Sequence, residues 1–468
     1  MTFNQLIFPF IFLPVSFILF KVVPVKFRKL LLLLLSLIFI VWGNPVDLPV
    51  ILLSVVFNYF SCLQIAQQNE NNRPAKAKIT LTVSVVVNLL MLGYFKYFNF
   101  ISENIAGLLK ISAVKNTMPV PVGISFFTFS VLSALFDVYR KKAGKPKNIL
   151  DFALFVTFFP KLTSGPIIQY NQMSIQLNEL NITKQRTEAG FRMFIIGLAK
   201  KVLLANMLSI TYSAVSGMKT ESLTVLSAWT GALSYAFMLY FDFSGYSDMA
   251  VGLGRVFGFE LPQNFRYPYY CDSISDFWRR WHASLGAWFK DYVYIPLGGS
   301  RQGKNKTIRN LLVVWLLTGI WHGANWTFIL WGLYHGILII LEKFVLSRVV
   351  DKIPSFIKKI ITFLLVVIGW VFFFSPDIGT AFSYIGKMFS FASLYDSAAQ
   401  YYLGSSALLL IISAVGSLPL VRGSAIMIQK KKYNWFYIAQ TVVFALMLIF
   451  SIAGMVSDTY SSFLYSQF

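Results

Sequence analysis

Apolar runs long enough to cross a lipid bilayer recur from one end of this sequence to the other, and no other feature limits its fold so severely. About 20 apolar residues span the hydrocarbon layer as a helix. Inside that layer every backbone polar group must be bonded within the protein, which leaves only helices and closed barrels. The runs here have helical length. Composition agrees, with 56% of the 468 residues apolar and only 13% charged, against about a quarter charged in a soluble domain. A soluble globular enzyme is excluded, and the sequence reads as an all-α, polytopic integral membrane protein of about 11–13 membrane helices.

Lys and Arg total 41 against 19 Asp and Glu, a net charge of +22. In a membrane chain such a surplus gathers in short cytoplasmic loops, and the basic residues are indeed dispersed among loops. Nucleic-acid binding, which needs them gathered in one module, is disfavoured. Cys62 and Cys271 are too few and too far apart for a disulfide framework or a zinc site, so neither redox chemistry nor a structural metal is expected.

The first apolar run, from about Gln5 to Phe20, is followed rather than preceded by Lys21, Lys26, Arg28 and Lys29. A signal peptide shows the reverse order, so the N-terminus is placed outside. Runs then reach about Gly43 and about Ala66, and continue from Ile79 to about Ile101 and from Ile124 to Tyr139. The basic loops around Arg73 and from Arg140 to Lys147 alternate with nearly neutral ones, which supports five spans. At Phe158 to Pro166 proline, glycine and Lys161 interrupt an apolar run, and irregular backbone at membrane depth must be shielded by protein or line a cavity. The stretch from Asn171 to Arg192 reads as lying along the cytoplasmic surface. Spans follow from about Met193 to Ala214 and Leu223 to Phe241, and the segment from Asp242 to Arg309 reads as re-entrant and interfacial. The last third holds runs at about Leu311–Leu346, Ile360–Phe374, Leu403–Leu420 and Phe436–Met455, with basic loops at 301–309, 348–359 and 422–432. A single membrane domain, 1–468, accounts for the chain: N-terminal spans 1–120, a catalytic core 121–336 and C-terminal spans 337–468.

Polar groups inside such a domain are costly and suggest function. His322 lies within an otherwise apolar run, with Gly319 and Gly323 leaving room on the helix surface and Thr318 and Asn325 as polar neighbours. Imidazole is the side chain best suited to moving a proton near neutral pH. His282 sits in Phe277-Trp278-Arg279-Arg280-Trp281-His282, on a helix begun by the capping pattern Ser273-Ile274-Ser275-Asp276. That helix is either a tryptophan-rich membrane anchor or a cytoplasmic mouth whose guanidiniums receive an anionic cosubstrate. His335 reads more plainly as an aromatic-belt residue bonded to backbone. Asp242, Ser244, Asp248 and Arg255 read as an internally paired network that shapes a site. No nucleophile elbow, Walker loop, zinc-type cluster or dinucleotide fingerprint is present.

At these residues the sequence resembles the membrane-bound O-acyltransferase (MBOAT) family, in its alginate O-acetyltransferase membrane-subunit branch. The resemblance rests on ordered blocks over roughly residues 120 to 336. These are Pro121 to Phe129, Phe159-Pro160 to Gly165-Pro166, Tyr240 to Ala250, Leu261 to Phe265, Phe277 to His282, Asp291 to Gly299, and Trp321-His322-Gly323-Ala324. It implies the MBOAT fold around a central channel in a bacterial plasma (inner) membrane. The implied activity takes an acetyl group from cytoplasmic acetyl-CoA, a cosubstrate rather than a bound cofactor, for O-acetylation of an extracytoplasmic polysaccharide. An SGNH-type extracytoplasmic partner would complete the transfer. The family's essential histidine maps onto His322 and a second site histidine onto His282. Arg279, Arg280, Trp278, Trp281, Asn325 and Trp326 are expected to bind substrate. The competing readings are D-alanyl transfer to teichoic acid from a carrier protein, a lipid acyltransferase using long chains, and a transporter, although neither the repeats nor the midplane acids of a transporter are found.

Overall fold

The computed structural model describes residues 2–420 and 434–457. Among them every regular element is a helix. Seven helical stretches are long and apolar enough to cross a membrane, and Phe8–Val22 and Ile124–Tyr139 are shorter apolar helices. Their outward faces are greasy, as lipid contact requires: Leu53, Leu90, Ile210 and Leu408 are each more than 60% exposed. The chain divides into two compact units. The basic run at 422–432 lies outside the described residues.

Unit one comprises residues 2–194 and Tyr246–Gln263. Its helices are α1 (Leu13–Val22), α2 (Arg28–Gly43), α3 (Asp47–Glu70), α4 (Pro74–Leu92), α5 (Phe98–Leu109) and α6 (Ile124–Tyr139). The five N-terminal runs therefore became helices close to the positions their apolar residues mark. Shorter helices follow: α7 (Ile149–Thr157), α8 (Phe159–Leu162), α9 (Tyr170–Gln176) and the start of α10 (Lys184–Ala199). Helices α3 and α4 are joined by a polar clasp in which Asn58 and Asn88, both buried, donate to each other's carbonyl oxygens at 3.0 and 2.8 Å. Side-chain amides of this kind act as glue between helices that lipid cannot drive together.

The break at Phe158–Pro166 is shielded in the way membrane depth demands. The Phe159 amide, which has no helical acceptor there, donates to Ser36 Oγ at 3.1 Å. The buried Lys161 ammonium donates to Ser130 Oγ at 2.9 Å and lies over the Phe155 ring.

Unit two comprises Ile195–Gly245 and residues 264–457. It contains the end of α10, α11 (Asn206–Ser216), most of α12 (Val225–Val256), α13 (Ile274–Arg280), α14 (Ala283–Phe289), α15 (Lys304–His322) and α16 (Trp326–Phe344). Beyond these come α17 (Ser347–Val350), α18 (Ser355–Phe374), α19 (Ile378–Met388), α20 (Ser397–Gly416) and α21 (Asn434–Ser457).

Three expectations are corrected here. The span placed at Leu223–Phe241 does not stop there, because α12 runs unbroken to Val256. Asp242 is paired with Lys201 and Arg255 with Glu260, so their polarity does not end the helix. The helix carrying Arg279, Arg280 and His282 is two short helices, broken at Trp281 and His282, where His282 has φ 46°. The run Leu311–Leu346 is an antiparallel pair, α15 and α16, divided at Gly323-Ala324-Asn325 by the Asn325 cap. The two helices approach backbone to backbone. A Cβ on Gly332 would lie 2.4 Å from Trp315 O, and one on Gly319 would lie 2.5 Å from Phe328 O.

Candidate active site

Two histidines in unit two are held by fixed hydrogen bonds that dictate which nitrogen of each can act as a base. His322 closes α15, where its Nδ1 lies 2.7 Å from Thr318 O, one turn back. A carbonyl oxygen can only accept, so Nδ1 carries the proton and Nε2 of the neutral ring carries the lone pair. The ring is 1% exposed and packs against Trp321, Trp331 and Phe373 at centroid distances of 4.8, 4.7 and 5.4 Å. The imidazole is thus shielded by aromatic faces instead of open to bulk water.

His282 is fixed by a different device. Its backbone is left-handed, which costs a non-glycine residue of order 1–3 kcal/mol, and the turn aims its ring inward. Nδ1 lies 3.2 Å from Asn264 Oδ1, which also accepts from the Ser284 amide and hydroxyl at 3.1 and 2.8 Å. One side-chain oxygen therefore gathers three donors and leaves His282, like His322, with Nε2 as the basic nitrogen. Trp321 lies next to both rings, 5.9 Å from His282 and 4.8 Å from His322. Phe243 closes on His282 edge to face at 4.7 Å. His335, expected to bond backbone at a membrane edge, is instead fully buried against Trp278 and Trp331.

The expected substrate-binding residues divide. Trp278 and Trp281 belong to the aromatic mass beside the histidines, Trp278 edge to face with Trp331 and Trp281 tilted against Trp370. Arg280 is committed to Asp276 at 2.7 Å and to Tyr270 O at 3.1 Å, whereas Arg279 projects outward with its side chain 73% exposed. Asn325 is occupied as the N-cap of α16, accepting from Thr327 N and donating to Pro376 O. Trp326 is 52% exposed at the helix start.

The network expected among Asp242, Ser244, Asp248 and Arg255 is paired differently. Asp242 forms an ion pair with Lys201 at 2.6 Å, both side chains under 5% exposed. Arg255 pairs with Glu260 at 2.7 Å. Ser244 is buried on α12, two residues after Asp242. Asp248 lies one turn further along the same helix. The sequence reading passed over Lys201 and Asn264, which join residues distant in the chain. Their one visible signal was a charge or an amide inside an aromatic, apolar context.

Asp272, which precedes α13 and lies outside the spans, is held by Lys359 and Ser355 in the first turns of α18. The Lys359 hydrogen bond keeps the Asp272 carboxyl below the usual carboxylate range. Among the described residues no three His, Cys, Asp or Glu side chains converge on a metal-sized site.

Comparison with known proteins adds the chemistry that geometry alone lacks. Residues 46–383 match MBOAT, the membrane-bound O-acyltransferase family. The chain is 41% identical over 398 residues to the probable alginate O-acetylase AlgI of Pseudomonas aeruginosa, covering 84% of this chain and 76% of that protein. It is 35% identical to the protein of that name from Pseudomonas putida, over all of both chains. The peptidoglycan O-acetyltransferase of Helicobacter pylori is 37% identical over 423 residues, covering 82% of this chain and 79% of that protein.

Proposed function

This chain belongs to the membrane-bound O-acyltransferase family, and from that membership we propose that it moves an acetyl group from cytoplasmic acetyl-CoA to hydroxyls of an extracytoplasmic polysaccharide. It is a multi-pass membrane O-acyltransferase. The acetyl cargo is supported by the names of its relatives, which acetylate alginate or peptidoglycan. In this proposal the protein resides in a bacterial plasma membrane and hands the acetyl group to an SGNH-type partner that completes transfer on the outer side.

The observation that carries the proposal is the bond from His322 Nδ1–H to Thr318 O. It presents Nε2 as a proton acceptor without a preceding tautomer change. As a hydroxyl oxygen attacks the thioester carbonyl, Nε2 takes its proton, a C–O bond forms and the C–S bond breaks. The thiolate then recovers the proton from the imidazolium. General-base assistance of this kind contributes about 10²- to 10⁴-fold, and a water-excluding aromatic wall strengthens the electrostatics of the step. His282, held by Asn264, would orient the donor's thioester end, and the exposed Arg279 would meet its phosphates.

The decisive measurement is ester-linked acetate on purified envelope polymers from cells carrying His322→Ala. Acetate should fall to the level of a deletion strain while the membrane abundance of the protein is unchanged. Retained acetylation refutes the assignment. Separate assays of exopolysaccharide and peptidoglycan identify the acceptor.

A further inference from the structure

Unit one contains a cavity of about 290 Å³ that plays no part in the histidine site. Its mouth is the loop after α6, carrying Lys142, Lys145 and Lys147, and its floor is Tyr170 and Asn171 at the start of α9. The charge asymmetry along the chain assigns this loop to the cytoplasmic side.

A topological signal would need only lysines somewhere in the loop. Here they stand around a built concavity. The amides of Lys142 and Ala143 both donate to Asp137 O, at 2.8 and 3.2 Å, which folds the loop back on α6. From the opposite wall Asn171 N donates to Asp137 Oδ2 at 2.9 Å and Tyr170 N to Ser133 Oγ at 3.1 Å. Tyr170 is wedged edge-on against Phe155.

The charges inside this frame are unbalanced. Asp151, the one acid in the lining, is already neutralised by Lys29 at 2.7 Å. Lys145 has only an exposed contact with Glu70 at 3.3 Å, and the ammonium groups of Lys142 and Lys147 have no partner among the described residues. Deeper in, Asn171 Oδ1 is buried and accepts no hydrogen bond. The lining is greasy on one side, where Ile175 is 71% exposed, and Ile149 and Leu150, which precede the lining residue Asp151 in the chain, are 37 and 49% exposed.

Three lysines, an orphan acceptor and an apolar lip describe the demands of a particular ligand. We propose that this cavity binds a phosphate ester that also carries a hydrogen-bond donor, with the lysines on the phosphate and Asn171 Oδ1 on the donor. The apolar lip favours the headgroup of an anionic phospholipid, whose chains would run along Ile175 and Leu150. The cavity is too small for a whole coenzyme but would admit the phosphate of a nucleotide. The inference is independent of the acyl-transfer reading, because it is read from binding and not from turnover.

The test uses the purified full-length protein and the double variant Lys142→Gln/Lys147→Gln, with Lys115→Gln, a surface lysine elsewhere, as control. Ser174→Asp, which adds a negative charge to the cavity wall, is a second probe. Native mass spectrometry from mixed phosphatidylglycerol and phosphatidylcholine nanodiscs reads lipid retention, and titration with 3′,5′-ADP reads nucleotide binding. The expected result is retention of phosphatidylglycerol over phosphatidylcholine, falling about tenfold in both cavity variants, as loss of charge-assisted bonds requires, and unchanged in the control. If the variants weaken 3′,5′-ADP binding instead, the phosphate site stands with a nucleotide as its ligand. If both probes bind the double variant and Ser174→Asp as they bind the parent, the proposal is overturned.

Discussion

Asn264 shows how much of this site depends on a residue that takes no part in the chemistry. Its single carbonyl oxygen holds His282 and both donors of Ser284, so Asn264→Ala strands three buried groups. Each buried group left unpaired costs about 1–3 kcal/mol. We expect Asn264→Ala to lower kcat of acetyl transfer more than tenfold while raising KM little, which steady-state kinetics would distinguish from a binding defect. The Lys201–Asp242 pair makes a complementary prediction. Removing one partner of a buried pair costs about 3–5 kcal/mol, whereas replacing both with apolar side chains is often neutral. Lys201→Met should therefore lower the melting temperature sharply and Lys201→Met/Asp242→Leu should restore it; equal loss in both would show that the pair serves more than charge balance. His322 was readable in the sequence as a lone imidazole between glycines in an apolar run. The bonding role of Asn264 was not, since its partners lie 18 and 20 residues away and no local rule links them.

Between elements, the approach of α15 to α16 is set by glycine. With Trp315 O only 2.4 Å from where a Cβ on Gly332 would stand, Gly332→Ala must push the helices apart. Because His322 ends one of these helices, activity should fall together with thermal stability, and a destabilisation of about 1–3 kcal/mol is expected for such overpacking. A melting curve unchanged from the parent would contradict the close-approach argument. The tie between Asp272 and α18 adds a pH dependence. Its carboxyl titrates lower when folded than when unfolded, so its stabilising effect is complete above the unfolded value of about 3.9 and is lost as pH falls through the depressed folded value. Hydrogen exchange at the α18 N-terminus should accelerate only in strong acid, and Asp272→Asn should show the fast exchange already at neutral pH. The amphipathic break at Trp281 and His282 was misread as one helix because its capping box and apolar spacing were sound. The left-handed residue between α13 and α14 is a histidine rather than the glycine that ordinarily marks such a turn.

For the whole molecule, the alternation of basic and neutral loops makes a topological prediction that needs no enzymology. Cys62 and Cys271 are both buried, so single cysteines can be read against a quiet background. Lys145→Cys should label only from the cytoplasmic side and Lys115→Cys only from outside; the reverse pattern would invert the proposed direction of acetyl flow. The sequence by itself determined the solvent this chain folds in, its helical class and the first five helices, because a bilayer imposes one length scale and one bonding rule on every span. It also exposed His322, since an ionisable ring in an apolar run is costly wherever it lies. Only the tertiary structure decided which groups meet: that Asp242 answers Lys201, that Asn264 fixes His282, that Thr318 selects the His322 tautomer, and that lysines 142, 145 and 147 surround a cavity. The pairings of Asp242 with Lys201 and of Asn264 with His282 join positions that no helical repeat links, and one-dimensional periodicity reports only which face a residue occupies, never what stands across from it.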